Sequence, residues 1–157
     1  MLSTGQGLLT IENNLFVETG QSIILMTLAT AGIGSVFRFN TVVHADPVDS
    51  FGAHINCSGS IELTSNIIAL STSMPLGVQC AAHDTLFDQQ TSPVPAGTNN
   101  QAADAATFFV DRAAGDLHPT SPAKGAGESG LVEVDFDGNP RPATESRFRR
   151  LRSTLNQ

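Results

Sequence analysis

The sequence predicts an all-β fold, a short parallel β-helix of about three to four rungs followed by a loop-rich C-terminal segment. The first of three observations is an internal repeat, in which Asn14, Asn40 and Asn66 recur at a constant spacing. Second, each Asn precedes a run of apolar or β-branched residues that is too short for a helix but suits a strand. Third, with 14 Gly, 8 Pro and 15% charged residues, the composition favours strands and turns over a helical bundle.

The repeat extends upstream of each Asn. Ile11, Phe37 and Leu63 share one column, and Glu12, Arg38 and Thr64 share the polar column beside it. A period of roughly 20 to 50 residues is typical of solenoids, in which each unit stacks on its neighbours. We expect a weaker fourth copy that begins at Asp84, at a shorter spacing from Asn66. The alternative is that three equally spaced Asn residues are a coincidence in a chain rich in loops.

The chemistry of an Asn at a corner explains why one should recur in every rung. Residues 35–39 and 61–63 alternate as strands do, and parallel rungs stacked about 4.8 Å apart need no crossover helices. Asn tolerates the left-handed backbone of a tight bend, and its amide bonds to the identical amide above and below. We therefore expect Asn14, Asn40 and Asn66 to form a hydrogen-bonded ladder at one buried corner.

The chain divides into three segments. Residues 1–88 are predicted to be the β-helix rungs, 89–142 a loop-rich segment packed on them, and 143–157 an Arg-rich tail. Within the second segment, 89–107 and 115–130 are rich in Gly, Pro and polar residues, which predicts loops, whereas 131–136 alternates as a strand.

Charge is divided between the body and the tail. Residues 1–140 hold 14 acidic side chains against three basic ones, a balance of −11, whereas 141–157 carry +4. An acidic body argues against nucleic acid as a partner, because phosphate binding needs a basic face. The sequence has no apolar run long enough to predict a membrane span. Phe148, Leu151 and Leu155 lie on one face of a short helix, so the tail is either a docked amphipathic helix or a frayed terminus.

The N-terminus opens almost directly into the first repeat, without the basic and apolar segments of a signal peptide. This predicts either a fragment of a longer protein or an exposed first rung. An uncovered rung offers unpaired backbone groups and apolar side chains such as Leu8 and Phe16, which favour pairing with another chain. We therefore expect a homodimer through the N-terminal rung, or a first rung that is covered by the tail helix.

Several motifs follow one another in the order found in a known family. They are NCSG from Asn56, SNII from Ser65, GDLH from Gly115, SPAKGAG from Ser121 and DGNPRP from Asp137. Across roughly residues 7–142, the chain resembles the C-terminal part of right-handed parallel β-helix proteins of the pectin-lyase-like superfold, the bacterial surface group called choice-of-anchor Q. The resemblance implies a right-handed solenoid, an extracellular or cell-surface location and polysaccharide as a partner.

The chain departs from this family pattern at two places. Family members usually have an Asp where Lys124 and Gly125 stand here. They also end in a short strand that the Arg-rich tail replaces.

Cys57 and Cys80 are the only cysteines, and the stretch between them is close to the length of one rung. Neighbouring rungs bring such positions within bridging range. This spacing and the location implied by the resemblance favour a disulfide, which would contribute about 3 kcal/mol in the loop-entropy model. The alternative is two buried free thiols.

The sequence predicts no cofactor. Asp135 and Asp137 resemble the opening of a calcium loop, but the distal Glu is missing, which favours a solvated acidic turn over a calcium site. The cysteines and histidines do not have the spacing of zinc ligands.

Glu12, Arg38 and Glu62 are the candidates for facing a carbohydrate. A lyase needs a basic residue to abstract a proton and acidic residues to hold calcium, and a hydrolase needs two carboxylates about 5 to 10 Å apart. Arg38, one rung from Glu12 in the same column, is more simply its ion-pair partner. With no Trp or Tyr, the chain also lacks the usual aromatic platforms for sugars.

These observations predict a non-catalytic β-helix module of a secreted or cell-surface protein, acting as a scaffold or as a carbohydrate-interaction surface. The alternative is the C-terminal part of a polysaccharide lyase or glycoside hydrolase whose catalytic rungs lie elsewhere.

Overall fold

The computed structural model describes part of the chain. The described residues are 7–18, 26–28, 34–44, 55–57, 61–70, 76–77, 80–91, 93–120, 123, 127, 133–134 and 138–140, without the side chains of 18, 26–28, 44 and 56–57. In these ranges the regular structure is strand, apart from one 3-10 turn at Ala105–Thr107. None of this described structure is a helix long and apolar enough to cross a bilayer. The predicted all-β class is confirmed.

Most strands belong to three parallel sheets, which we call A, B and C, with strands numbered in chain order. Sheet A contains β1 (Thr10–Glu12), β4 (Ser35–Arg38), β7 (Ile61–Thr64) and β9 (Ala82–His83). Sheet B contains β2 (Leu15–Glu18), β5 (Thr41–His44), β8 (Ile67–Ala69), β10 (Leu86–Asp88) and β11 (Gln101–Ala103). Sheet C contains β3 (Met26–Leu28) and β6 (Ile55–Cys57), and a parallel bridge joins Ile55 to Leu76. Two further strands, β12 (Phe109–Asp111) and β13 (Asp116–Pro119), form an antiparallel pair.

From β1 to β6 the chain passes twice from sheet A to B to C, and the third pass goes from β7 to β8 and meets sheet C through the bridge at Leu76. β9 and β10 then return to sheets A and B, and β11 adds a further strand to sheet B. Each pass adds one strand to a sheet, and we call each pass a rung. Apart from β10 and β11, parallel neighbours in sheets A and B are therefore separated along the chain by strands of the other sheets, and the described part of these connections contains no crossover helix.

The register of the sheets follows the sequence repeat. Ile11 pairs with Phe37, and Phe37 pairs with Leu63, so that paired residues are 26 positions apart in the sequence. The same offset of 26 relates β2 to β5 and β5 to β8. The next rung is shorter, because Leu63 pairs with Ala82, an offset of 19. Between β10 and β11 the offset falls to 15. The rungs therefore contract along the chain while the strands stay in register.

Three predictions of local structure were wrong. Thr85, not Asp84, takes the place of Asn66 in the fourth rung, since Leu86 pairs with Ile67 and so aligns Thr85 with Asn66. β11 lies within 89–107, and β13 lies within 115–130, although both stretches were predicted as loops. Their Gly, Pro and polar residues form the short turns that separate very short strands.

The interior between the sheets is apolar. Phe37, Val42, Ile55, Leu63, Ile68, Leu70, Ala82 and Phe87 are at most 1% exposed and pack into one cluster. The small Ala82 and the large Phe87 belong to the same short rung, so that this rung stays filled as close packing requires.

The outer face of sheet B is buried as well. Val43, Ala69 and Leu86 pack against Ala105, Phe108, Phe109 and Ala123 in a second apolar cluster. The segment that follows the rungs therefore covers sheet B.

Candidate functional site

A hydrogen-bonded ladder fixes the corner between sheets A and B. The backbone N–H of Asn14 donates to Asn40 Oδ1 (3.0 Å), that of Asn40 to Asn66 Oδ1 (3.0 Å), that of Asn66 to Thr85 Oγ1 (3.4 Å) and that of Thr85 to Asn100 Oδ1 (3.2 Å). The Asn residues bond along the stack as the sequence predicts, and the ladder continues through Thr85 to Asn100. Asn40 and Asn66 are buried, but Asn14 at the edge is exposed, so the expected burial is wrong for Asn14.

Each buried amide joins its rung to the preceding one through both of its ends. While Asn66 Oδ1 accepts from the ladder, Asn66 Nδ2 donates to the carbonyl of Phe37 at 3.0 Å. Asn40 Nδ2 bonds to the carbonyl of Ile11 in the same way, also at 3.0 Å. The ladder thereby holds the strands of sheet A in register.

The left-handed residue of each corner is the one before the ladder position. Asn13, Phe39, Ser65, Asp84 and Asn99 have φ between 48° and 58°. The prediction that the ladder Asn itself takes this conformation was therefore wrong. The left-handed residue turns the chain from sheet A to sheet B, which leaves the next side chain free to reach the preceding rung.

The outer face of sheet A carries the charged side chains that the sequence selected as candidates. Its outward positions form two columns, Thr10, Val36, Glu62 and Ala81 in one and Glu12, Arg38, Thr64 and His83 in the other. The predicted carbohydrate-facing residues Glu12, Arg38 and Glu62 therefore share one sheet face.

Arg38 and Glu12 form an ion pair on this face, as the sequence predicts. Arg38 Nη2 and Nε lie 2.8 Å and 2.9 Å from Glu12 Oε2. With the side chains 25% and 37% exposed, the pair contributes at most about 1 kcal/mol to stability. The pair matters for binding because the Arg38 guanidinium is already bonded to Glu12.

His83 joins this face although sequence reasoning did not select it. The backbone N–H of Thr98 donates to His83 Nδ1 at 3.1 Å, and Thr98 Oγ1 lies 2.9 Å from the same atom. Because Nδ1 accepts this bond, the proton of the neutral ring is on Nε2. His83 falls in the column of Arg38 only when β9 is aligned with β7 at the shorter offset of 19, and this alignment is known only from the structure.

An open depression of about 340 Å³ lies on the outer face of sheet A. Its lining includes the apolar Val36 and Ala81 and the polar Glu62 and His83. From strand spacing and rise, the Cα atoms of Glu62 and His83 are about 8 Å apart on adjacent strands. We call this depression the Glu62–His83 site.

A second polar pair lies on β13. His118 Nδ1 is 2.6 Å from Asp116 Oδ1, and the backbone N–H of His118 donates to the same oxygen at 3.1 Å. These two bonds, the side-chain bond above all, hold the pKa of Asp116 below its ordinary value of 3.8. Both side chains are well exposed, as on a solvated surface turn.

The described residues contain no group of three or more potential metal ligands. Asp135 and Asp137, the candidates for calcium, lie outside the described residues, as do 141–157, which include most of the Arg-rich tail.

Cys80 lies in the core at 6% exposure, with its sulfur 3.4 Å from the carbonyl oxygen of Ile55. The described part of the chain contains no free thiol. Because the side chain of Cys57 lies outside the description, the disulfide stays a prediction.

Comparison of the chain with family models, with curated proteins and with solved structures found no match. The resemblance to surface β-helix proteins therefore stays an expectation.

Proposed function

We propose that the chain is a non-catalytic module of a secreted or cell-surface protein, a right-handed parallel β-helix that acts as a scaffold and binds polysaccharide. The observation that carries the proposal is the outer face of sheet A. There Thr10, Glu12, Arg38, Glu62 and His83 lie in two columns that cross strands about 4.8 Å apart, with Val36 between Thr10 and Glu62 and Thr64 between Arg38 and His83. Hydrogen-bonding groups that recur across successive strands suit a polymer whose hydroxyl groups also repeat.

The β-helix part of the proposal is supported by the path of the chain. Successive rungs that add parallel, in-register strands to the same sheets and share a corner ladder are the features of a solenoid. Right-handedness is supported by a general rule, since crossovers between parallel strands of one sheet are right-handed in about 98% of cases.

The charge arrangement supports binding without catalysis. Glu12 and Glu62 stand on strands that are separated by β4, which places their Cα atoms about 12 Å apart. Arg38 lies on the strand between them and holds the Glu12 carboxylate. Because Arg38 engages the Glu12 carboxylate, Glu12 is not free to act with Glu62 as the carboxyl pair of a hydrolase.

A lyase or glycoside hydrolase is the alternative, and one observation favours it. Glu62 and His83 line the same depression, and a carboxylate beside an imidazole is a common acid and base combination. Product formation separates this function from binding alone.

Affinity electrophoresis through gels that contain neutral or acidic polysaccharides tests the proposal. We expect slower migration in at least one gel, without new reducing ends and without the ultraviolet absorbance of unsaturated uronates. The double variant Glu62→Gln, His83→Gln should migrate freely, whereas Glu133→Gln, an exposed residue outside sheet A, should still be slowed. Free migration of the native chain in every gel, or product formation, would contradict the proposal.

A further inference from the structure

We infer that the Glu62–His83 site recognises neutral, hydroxyl-bearing sugars and discriminates against uronates. The inference rests on the proposed function and adds the chemical class of the ligand. It is derived from the charges, the hydrogen-bonding groups and the apolar lining of the depression.

Charge is the first argument. Arg38 pairs with Glu12 and His118 with Asp116, and Glu62 takes part in neither of these ion pairs. A uronate in the depression would meet the exposed Glu62 carboxylate, while the nearby cation Arg38 is engaged by Glu12. Placing two carboxylates together without a counter-charge is unfavourable, and the acidic body of the chain adds to the repulsion.

Hydrogen bonding is the second argument. The Glu62 carboxylate is an acceptor, and His83 presents Nε2–H as a donor because Thr98 occupies Nδ1. A sugar hydroxyl donates and accepts at once, so neighbouring hydroxyl groups match both. A carboxylate in the place of the hydroxyl group beside Glu62 only accepts, so it would offer Glu62 no donor at that position.

The apolar lining is the third argument. Val36 and Ala81 stand in the same column on either side of Glu62, and both line the depression. A pyranose ring has C–H groups on its faces and hydroxyl groups at its edge. Such a ring can lie on Val36 and Ala81 while its hydroxyl groups reach the polar side chains, which is how small-molecule sites combine apolar and polar contacts.

Isothermal titration with three hexasaccharides tests the inference: β-1,4-linked glucose, β-1,4-linked xylose and α-1,4-linked galacturonic acid. We expect at least one neutral hexamer to bind at least tenfold more tightly than the uronate. In Glu62→Lys, the neutral hexamer should lose about tenfold in affinity, the equivalent of one hydrogen bond to a charged group, and the uronate should gain affinity.

Glu133→Lys makes the same change of charge at another exposed position and should alter neither affinity. Thermal unfolding followed by circular dichroism checks that both variants fold. Native chain that binds the uronate as tightly as the neutral hexamers, or that binds none of the three, overturns the inference. An equal gain in uronate affinity in both Lys variants overturns it too. The proposed function is tested separately, by migration in the gels that contain the wider panel of polysaccharides.

Discussion

At the scale of single residues, the corner of each rung divides two tasks between neighbours. One residue takes the left-handed conformation, and the next sends its side chain to the preceding rung. Phe39 shows how strongly the corner is determined, because a bulky residue is held at φ 54° at a cost of about 1 to 2 kcal/mol. Its burial and the ladder bonds beside it offset that cost.

Replacing Asn40 by Leu should destabilise the fold by about 1 to 3 kcal/mol. The substitution leaves the backbone N–H of Asn14 and the carbonyl of Ile11 without their partner, and leaving such groups unsatisfied is costly. Asn14→Leu is the matched control, because it keeps the backbone N–H bond to Asn40 and removes only an exposed amide, whose bonds water can replace. Urea unfolding measures both, and equal losses of stability would contradict a role for the buried ladder.

Replacing Gly97 by Ala should cost at least about 2 kcal/mol more than replacing Gly115 by Ala. Both glycines have positive φ, so both variants lose stability from the strained backbone. A Cβ at Gly97 would lie 1.6 Å from the carbonyl oxygen of Ala82, whereas one at Gly115 meets nothing within 4 Å. Urea midpoints compare the two, and similar midpoints would show that the chain does not approach itself at Gly97.

At the scale of elements, the sequence predicts the strands whose side chains alternate. β4 and β7 follow from their patterns and from the spacing of the repeat. β9 and β11 escape prediction, because such short strands with Ala and Gln carry no β-branched signal. Their place is set by pairing with β7 and β10, which is a tertiary effect that outweighs local propensity.

The sequence also predicted only part of the candidate site, namely the residues that lie in rungs of equal length. Glu12, Arg38 and Glu62 belong to rungs of equal length, so their columns can be read from the sequence. His83 follows the first contraction of the rung, and Thr98 follows the second. The sequence contains no pattern that predicts where a rung becomes shorter.

A disulfide between Cys57 and Cys80 should join β6 of sheet C to the chain just before β9. The backbone of β6 meets the chain before Cys80 through the bridge from Ile55 to Leu76, which brings the two cysteines to neighbouring rungs. We expect no titratable thiol in unreduced, unfolded protein that was made in an oxidising compartment. Reduction should lower stability by about 3 kcal/mol. Two titratable thiols in the unreduced protein would rule the bond out.

At the scale of the whole molecule, the N-terminal rung forms one edge of sheets A and B. Among the described strands, β1 and β2 lie at this edge, and Leu8, next to β1, and Val17, on β2, are 76% and 50% exposed. Edge strands with unpaired backbone groups and apolar side chains favour pairing with a second copy.

We therefore expect a homodimer through this rung at micromolar concentration, measured by light scattering. Val17→Lys should shift the chain to monomer, because a charged residue on an edge strand opposes pairing. Val110→Lys is the control, since Val110 is 61% exposed on β12 and lies outside the rungs. Native protein that is strictly monomeric, or dissociation by both variants alike, would contradict the dimer.

The central claim is that the outer face of sheet A binds carbohydrate, and nitrogen-15 amide spectra recorded during titration with xylohexaose test it most directly. We predict saturable shifts at Val36, Glu62, Ala81 and His83, with the amides of β12 and β13 unchanged. Shifts confined to β12 and β13, or no shifts at millimolar sugar, would contradict the claim.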